Sequence, residues 1–183
     1  MLREEAKILQ KRELGNDLFH LALYLPLISG QASPGQFIHI SCHWPDGAGP
    51  LLPRPFSIFR YHQQTGTVEI LFRRVGKGTE LLSKLEPGSL LPVLGPLGRG
   101  FSIPSDGARI IMIAGGIGMP PLFCLAEQIK NSGISFYYGG KNQRDLVYMD
   151  KWKKITKEVY PVTEDGSLSA AGLVTDRLSA EVQ

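Results

Sequence analysis

The turn Gly115-Gly-Ile-Gly118 is the feature of this sequence that most directly suggests chemistry. It follows a continuously apolar run at residues 110 to 114 and precedes Pro120 and Pro121. Glycines let another molecule approach the backbone closely, and prolines suit the first turn of a helix. The pattern predicts a strand buried on both faces, a tight turn, and a helix whose free amides and positive dipole end can bind a phosphate. A glycine-rich turn without any ligand fits the same residues.

A second candidate site is the segment Arg54-Pro-Phe-Ser57. It places a permanent cation and a hydroxyl three residues apart, so the two side chains cannot lie on one face of a regular strand. Pro53 and Pro55 lead us to expect a bend out of regular pairing, which would let Arg54 clamp a diphosphate while Ser57 reaches a ring system. An exposed arginine at the edge of a sheet fits the segment as well.

Two further glycine-rich segments lie between these candidates. The run Phe72-Arg-Arg-Val-Gly-Lys-Gly-Thr79 passes from a strand pattern into glycines and a helix start. There Thr79 can cap the helix, and the neighbouring amides are free to bind an anion. The run Gly95-Pro-Leu-Gly98 predicts a turn whose backbone can lie close to a ligand.

Short alternating segments predict that residues 1–101 form a β domain. Residues 18 to 25 alternate between two faces. Further strands are expected near residues 3 to 12, 35 to 42, 55 to 61, 67 to 74 and 89 to 94. One short helix is expected near residues 78 to 85. Closely spaced strands with turns between them indicate a six-stranded antiparallel barrel.

The pattern changes to alternating strands and helices in residues 102–183. Strands are expected at residues 109 to 114, 134 to 138 and 158 to 163, with helices at 120 to 131, near 145 to 155 and from about 175. This order predicts a doubly wound parallel sheet, and a complete nucleotide-binding domain of this type normally has one or two more strands. We therefore expect the second domain to be incomplete at its C-terminus and residues 102 to 108 to form the linker.

Charge and composition exclude some classes of protein. The 183 residues include 20 basic and 17 acidic side chains, for a formal charge of +3, and these are scattered, so we expect no nucleic-acid partner. Charges at residues 3 to 7 interrupt any signal peptide and apolar runs stay short of a membrane span, which predicts a cytoplasmic protein. Cys42 and Cys124 lie in apolar patterns and are expected to be buried free thiols.

Other polar residues carry weaker signals. The four histidines lack metal-ligand spacing, and we expect His20 and His39 to be satisfied or exposed strand residues. Glu164 and Asp165 are of the type that can act as acid and base. Their place beside Gly166 instead predicts a turn, with solvation or contact to a ribose as their role. We assign no catalytic side chain and no metal site.

The order and spacing of the motifs resemble the ferredoxin–NADP reductase superfamily. The motifs are Pro34-Gly-Gln-Phe37, Arg54-Pro-Phe-Ser57, Val75-Gly-Lys-Gly-Thr79, Gly95-Pro-Leu-Gly98 and Gly115-Gly-Ile-Gly118. Within the superfamily, the chain is most similar to the electron-transfer subunits of dihydroorotate dehydrogenase. That similarity rests on Leu52-Pro-Arg-Pro-Phe-Ser57, Tyr138-Gly-Gly-Lys141, Thr163-Glu-Asp-Gly-Ser167 and Gly172-Leu-Val-Thr-Asp176.

The resemblance implies two cofactor sites. The residues that would hold FAD are Arg54, Pro55, Phe56, Ser57, Leu71, Phe72, Arg73, Gly78 and Thr79. The residues that would hold NAD(H) are Gly115, Gly116, Ile117, Gly118, Gly139, Gly140, Glu164 and Asp165. Residues 1–101 would thus be the FAD-binding barrel domain and residues 102–183 the NAD(H)-binding α/β domain. Hydride transfer between nicotinamide and flavin requires no side-chain acid or base.

The resemblance also implies an NAD-linked oxidoreductase of the electron-transfer flavoprotein type. It would pass electrons through FAD to the catalytic dihydroorotate dehydrogenase subunit of pyrimidine biosynthesis, or to another redox protein, in a hetero-oligomer. The subfamily holds a [2Fe–2S] cluster on four C-terminal cysteines, and those ligands are absent from this chain, which has two cysteines.

Two other functions fit the sequence. One is a stand-alone or other-complex NAD(P)H flavin or ferredoxin reductase subunit, in which Lys141 and Arg144 could hold a 2′-phosphate. The other is a non-catalytic flavin-binding assembly module.

Overall fold

The chain folds into two compact units, Met1–Phe101 and Ser102–Gln183. The structure is a computed structural model that describes residues 1–42, 52–103, 107–129, 133–168 and 171–182. Part of the expected linker, residues 104–106, lies outside the described residues. Within the described part, no helix is long and apolar enough to cross a membrane.

The first unit is a closed antiparallel barrel, as the sequence predicts. Its strands follow the order β1-β2-β5-β4-β3-β6 around the barrel. They are β1 (Leu2–Gly15), β2 (Leu18–Tyr24), β3 (Phe37–Ile40), β4 (Arg54–His62), β5 (Thr67–Arg73) and β6 (Leu90–Leu97). Pairing of Leu2 with Gly95 through Lys7 with Leu90 joins the first strand to the last and closes the barrel.

Alternation along the strands fills the barrel core. Leu21 and Leu23 of β2 are fully buried, whereas Tyr24 between Leu23 and Leu25 is 46% exposed. The same period of two places one row of each strand inside the barrel. The buried residues of these rows include Ala6, Ile8, Ile38, Ile40, Ile58, Val68, Ile70 and Val93.

The described residues of the barrel unit form two helices, of which the sequence predicted one. The expected helix is α2 (Lys77–Lys84), and the unexpected one is α1 (Pro26–Gln31). The carboxylate of Glu4 on β1 accepts hydrogen bonds from the amides of Leu27 (3.1 Å) and Ile28 (3.0 Å). A helix of six residues is therefore held at its start by a strand more than twenty residues away, which local periodicity cannot reveal.

The second unit is a parallel sheet with helices. Its strands β7 (Arg109–Gly115), β8 (Gly133–Gly140) and β9 (Glu158–Thr163) pair in the order β7-β8-β9. They step in one direction, as in one half of a doubly wound sheet. The helices are α3 (Pro120–Gln128), α4 (Met149–Ile155) and α5 (Val174–Val182), with 3-10 turns at Gly116–Gly118 and Gln143–Asp145.

An aromatic cluster holds α3 and α4 on one face of this sheet. Trp152 of α4 is fully buried, stacks on Phe136 of β8 with ring centroids 3.6 Å apart, and meets Phe123 of α3 edge-on at 5.2 Å. Tyr138 continues the row, 5.2 Å from Phe136. Burial of these large rings supplies much of the apolar contact in the unit.

Three sequence predictions for this unit need correction. Ile111 and Ile113 of β7 are 55% and 41% exposed, so the strand is buried on the Met112 and Ala114 face alone. On the other face, α5 contacts all three strands, mostly β8 and β9, and still leaves Ile111 and Ile113 exposed. Helix α3 ends at residue 128 rather than 131, and α4 starts at residue 149, after the 3-10 turn, rather than near 145.

Candidate functional site

The segment Arg54-Pro-Phe-Ser57 opens β4 as a regular strand, so the expected bend is wrong. Arg54 pairs with Ile40, and Phe56 pairs with Ile38. The pairing of β4 with β5 starts only at Ile58. The prolines come before that point, where β4 has a hydrogen-bonded neighbour on one side only, so their missing N–H groups do not break a pairing with β5. Arg54 and Ser57 therefore belong to opposite rows of the strand.

Arg54 lies half-exposed at the end of its row, above the buried Phe56. Its Nη1 donates a hydrogen bond to the carbonyl oxygen of Leu52 at 3.2 Å. Its charge also acts on Cys42. Burial raises the pKa of the Cys42 thiol to about 11, and the nearby Arg54 cation opposes that shift. The guanidinium thus retains donors that face solvent at the end of the barrel.

Three of the candidate flavin residues lie on β5, and one of them, Phe72, belongs to a cluster of phenylalanine rings. Leu71 and Phe72 are buried, and Arg73 is half-exposed with its Nη1 3.2 Å from the Asn16 carbonyl oxygen. The ring of Phe72 stacks on Phe19 at 5.3 Å and meets Phe56 edge-on at 5.8 Å. The structure therefore brings the candidates of β4 and β5 together through Phe56 and Phe72.

The start of α2 presents backbone amides. Gly76 precedes the helix in an extended conformation, and the hydroxyl oxygen of Thr79 accepts hydrogen bonds from the amides of Val75 (2.9 Å) and Gly76 (3.1 Å). The first helical bond runs from the amide of Glu80 to the Gly76 carbonyl at 2.8 Å. The amides of Lys77, Gly78 and Thr79 come before that bond and have no intrahelical acceptor.

The register of the barrel places Arg54 and α2 at one end. The pairs Ile58 with Ile70 and His62 with Thr67 show that β4 and β5 run antiparallel, so the start of β4 lies beside the end of β5, which leads into α2. A guanidinium, free amides and the positive end of a helix at one barrel end suit an anion such as a diphosphate. Arg74 at this end is partnered by Asp17.

The glycines at 95 and 98 have an internal role. A Cβ at Gly95 would lie 2.7 Å from Cγ2 of Ile38, and one at Gly98 would lie 2.9 Å from the ring of Phe37. Gly98 also has a φ of +79°, which favours glycine. The run Gly95-Pro-Leu-Gly98 therefore lets β6 and the following turn pack against β3, and close packing explains its glycines without a ligand.

The turn Gly115–Gly118 in the second unit has open space above its backbone. A Cβ built at Gly115, Gly116 or Gly118 meets no atom within 4 Å. Gly116 has a φ of +47°. Met119 and Pro120, which follow, are buried, and Pro120 and Pro121 open α3 as expected. The turn thus combines an exposed backbone with a helix start, which is the geometry of a phosphate site.

Gly139 and Gly140 at the end of β8 differ from that turn. A Cβ at Gly139 would lie 2.8 Å from Cβ of Val174, and one at Gly140 would lie 2.9 Å from Cβ of Asp145. Their missing side chains make room for α5 and for the 3-10 turn after β8. These glycines support the end of the sheet by packing.

Glu164 and Asp165 lie exposed in the turn after β9. The Glu164 amide donates to the Gly140 carbonyl at 3.0 Å, which ties the turn to the end of β8. Hydrogen bonds from the side chain and amide of Ser167 hold the pKa of Asp165 below its ordinary value. A carboxylate kept ionised in this way suits a hydrogen-bond acceptor role better than an acid role.

The residues around Tyr138 were not assigned a role from the sequence. The Tyr138 hydroxyl lies 3.2 Å from the carbonyl oxygens of both Gly116 and Asp145. Asp145 is buried, and its Oδ2 accepts the Lys141 amide at 3.1 Å. Tyr138 opens the motif Tyr138-Gly-Gly-Lys141, but only the fold reveals that its hydroxyl reaches the turn after the neighbouring strand.

The cysteines and other metal-ligand side chains of the described residues form no cluster suited to a metal. Cys42 and Cys124 are buried free thiols, as predicted, and each lies in a different unit. A [2Fe–2S] cluster needs four ligands, so these residues do not fit one.

Known proteins match both parts of the chain. The profile of the oxidoreductase FAD-binding domain family matches residues 5–101. The chain belongs to this family of FAD-binding oxidoreductases. It is 36% identical over 174 residues to the electron transfer subunit of dihydroorotate dehydrogenase B (NAD(+)) from Desulforamulus reducens. It is 37% identical over 177 residues to that of Geobacillus thermodenitrificans.

These relatives are longer than this chain. The alignments cover 94% and 95% of the chain but 66% and 68% of the two relatives. Among solved structures, an NADH-dependent reduced ferredoxin–NADP oxidoreductase is similar at a TM-score of 0.85 and 26% identity, over 97% of this chain and 63% of that one. The cytochrome b5 reductase domain of Ulva prolifera nitrate reductase shares the fold at a TM-score of 0.75 and 17% identity, over 93% of this chain and 78% of that one.

Proposed function

We propose that this flavoprotein is an electron-transfer subunit that moves electrons between NAD(H) and a partner redox protein through FAD. The observation that carries the proposal is the identity of 36–37% with subunits of that name across at least 94% of the chain. The same similarity favours this function over a stand-alone reductase or a non-catalytic module. The partner would be a catalytic dihydroorotate dehydrogenase subunit in a hetero-oligomer. A cytoplasmic location stays a prediction of the sequence.

The barrel end around Arg54 and α2 fits the diphosphate of FAD. Its half-exposed guanidinium and the amides of Lys77, which is exposed, and Thr79, which is half-exposed, are donors suited to phosphate groups. The partly buried Ser57 and Arg73 lie on the adjoining strands, where they can contact the rest of the cofactor. When bound, FAD supplies a ring that accepts a hydride and gives up single electrons. The protein contributes binding and orientation.

The open turn at residues 115–118 fits the diphosphate of NAD(H). Its backbone is exposed where a Cβ would meet nothing, and α3 follows directly. In open α/β sheets, ligands bind beyond the carboxyl ends of the strands, and this turn follows the carboxyl end of β7. Glu164 and Asp165 follow the carboxyl end of β9, where an ionised carboxylate can accept hydrogen bonds from ribose hydroxyls. The acidic turn suits NADH better than a 2′-phosphorylated cofactor.

The flavin assignment is tested at Arg54. Replacing a charge-assisted clamp by Arg54→Ala should weaken FAD binding by about 2–3 kcal/mol, which is roughly 30- to 150-fold in Kd. Arg54→Lys should restore little, because an ammonium does not reproduce the planar fork. The fold should survive, since this side chain is half-exposed at a strand end.

The matched control is Arg12→Ala, which removes an exposed arginine from β1 of the same barrel and should leave FAD affinity unchanged. FAD affinity is measured by fluorescence titration of the apoprotein. Unchanged FAD affinity in Arg54→Ala would refute the assignment of this segment. The next candidate for the diphosphate would then be Arg99, which directly follows the turn Gly95-Pro-Leu-Gly98.

A further inference from the structure

A buried hydroxyl lies beneath the open glycine turn. Tyr138 has no exposed surface, and its hydroxyl oxygen is 3.2 Å from the carbonyl oxygen of Gly116 and 3.2 Å from that of Asp145. The Gly116 carbonyl also accepts the Met119 amide at 3.4 Å. This carbonyl is therefore directed inward by two donors from different parts of the unit.

The inward carbonyl sets the direction of the next amide. In a trans peptide, the C=O of one residue and the N–H of the next point in opposite directions. With the Gly116 carbonyl turned toward Tyr138, the N–H of Ile117 points away from the buried hydroxyl. Cβ atoms built at Gly115, Gly116 and Gly118 meet nothing within 4 Å, and Ile117 is 36% exposed, so the backbone around this amide is uncrowded.

We propose that Tyr138 is a positioning residue that aims the Ile117 amide at a phosphate of the bound dinucleotide. The proposal rests on the proposed NAD(H) site and deepens it. Gly116 has a φ of +47°, a region that glycine enters without strain and leaves easily, so the free turn can adopt more than one backbone conformation. A hydroxyl bonded to its carbonyl selects the conformation that presents the amide outward.

Asp145 extends the same link to the loop after β8. The Tyr138 hydroxyl shares its proton between the carbonyls of Gly116 and Asp145, and the Asp145 carboxylate holds the amide of Lys141. One side chain thus connects the turns that follow two neighbouring parallel strands. Both turns lie at the edge of the sheet where ligands of such folds bind.

The variant that tests this role is Tyr138→Phe. It removes the hydroxyl but keeps the ring that packs 5.2 Å from Phe136. Loss of one hydrogen bond that orients the amide should raise the Kd for NADH by about threefold to tenfold. The matched control is Tyr160→Phe, which removes a hydroxyl from the half-exposed tyrosine of β9 and should leave the Kd unchanged.

The assay uses the FAD-loaded protein with ferricyanide as electron acceptor, alongside an equilibrium titration with NADH. A positioning role predicts that the KM for NADH rises with the Kd, while kcat at saturating NADH and FAD content stay at the wild-type level. Equal Kd values for Tyr138→Phe and wild type would overturn the role of Tyr138 and leave the NAD(H) site intact. A fall in kcat with unchanged KM would also overturn it. Failure of the wild-type protein to bind NADH would overturn the site and the inference together.

Discussion

The open space above Gly115 makes a sharp prediction about the nucleotide site. Gly115 ends β7 with φ −111° and ψ 119°, an ordinary extended conformation that alanine adopts without strain. A Cβ there meets no atom of the chain within 4 Å. Gly115→Ala should therefore leave the fold intact, and it should weaken NADH binding because the new methyl group occupies the space into which the diphosphate must come.

The magnitudes follow from the contacts at two glycines. At Gly115 the change should alter the free energy of unfolding by less than about 1 kcal/mol, and in the stabilising direction, because alanine reduces the freedom of the unfolded chain. At Gly139 the new Cβ would lie 2.8 Å from Cβ of Val174, an atom next to the backbone that cannot swing aside. Gly139→Ala should therefore destabilise the second unit by about 1–3 kcal/mol through overpacking.

Thermal unfolding and NADH titration of the two variants separate the effects. Gly115→Ala should unfold at or slightly above the wild-type temperature. Its Kd for NADH should rise by about tenfold or more, which corresponds to the loss of one hydrogen bond to a phosphate. Gly139→Ala should unfold at a lower temperature. If Gly115→Ala binds NADH with wild-type affinity, a ligand does not approach this turn, and the reasoning from its open backbone fails.

Two predictions concern titratable groups of the barrel. Burial pushes the pKa of Glu69 upward, but the hydrogen bond from His20 and the charges of His20, Arg60 and His62 outweigh it and hold the pKa below its ordinary 4.5. The ionised Glu69 carboxylate therefore stabilises the fold fully above pH 4.5, and this stabilisation is lost as the pH falls through the lowered pKa of the folded state. Urea midpoints of wild type and Glu69→Gln should differ most at neutral pH and converge in acid, and a difference that does not change with pH would contradict this. The Cys42 thiol, with its pKa raised to about 11 by burial, should resist iodoacetamide at pH 7 and react once the protein is unfolded; equal rates in both states would show that it is accessible.

Local patterns were enough to predict most of the architecture. The alternation in residues 18 to 25 predicted a strand correctly, because the row with Leu21 and Leu23 faces the barrel core. Pro120 and Pro121 marked the start of α3 directly. Helix α1 was missed because its start depends on Glu4, a contact between distant parts of the chain. The burial of β7 was overestimated because an apolar run at Ile111 and Ile113 does not reveal which helix covers it.

Glycines at the candidate site show a similar limit of sequence reasoning. The motifs at Gly95, Gly115 and Gly139 are similarly rich in glycine. The space beside Gly95 and Gly139 is filled by the chain itself, whereas the space beside Gly115 is open. Only the three-dimensional structure separates a glycine needed for packing from one that leaves room for a ligand. The Tyr138 hydroxyl was missed for a related reason, because its acceptor Gly116 lies on the turn after another strand.

The visible spectrum of the purified protein tests the central claim most directly. If the chain is a flavin-dependent electron-transfer subunit, the protein should show flavin absorption bands, either as isolated or after reconstitution with FAD. Those bands should bleach when NADH is added without oxygen. A colourless protein that takes up no FAD on reconstitution, or a flavin that NADH leaves oxidised, would contradict the account.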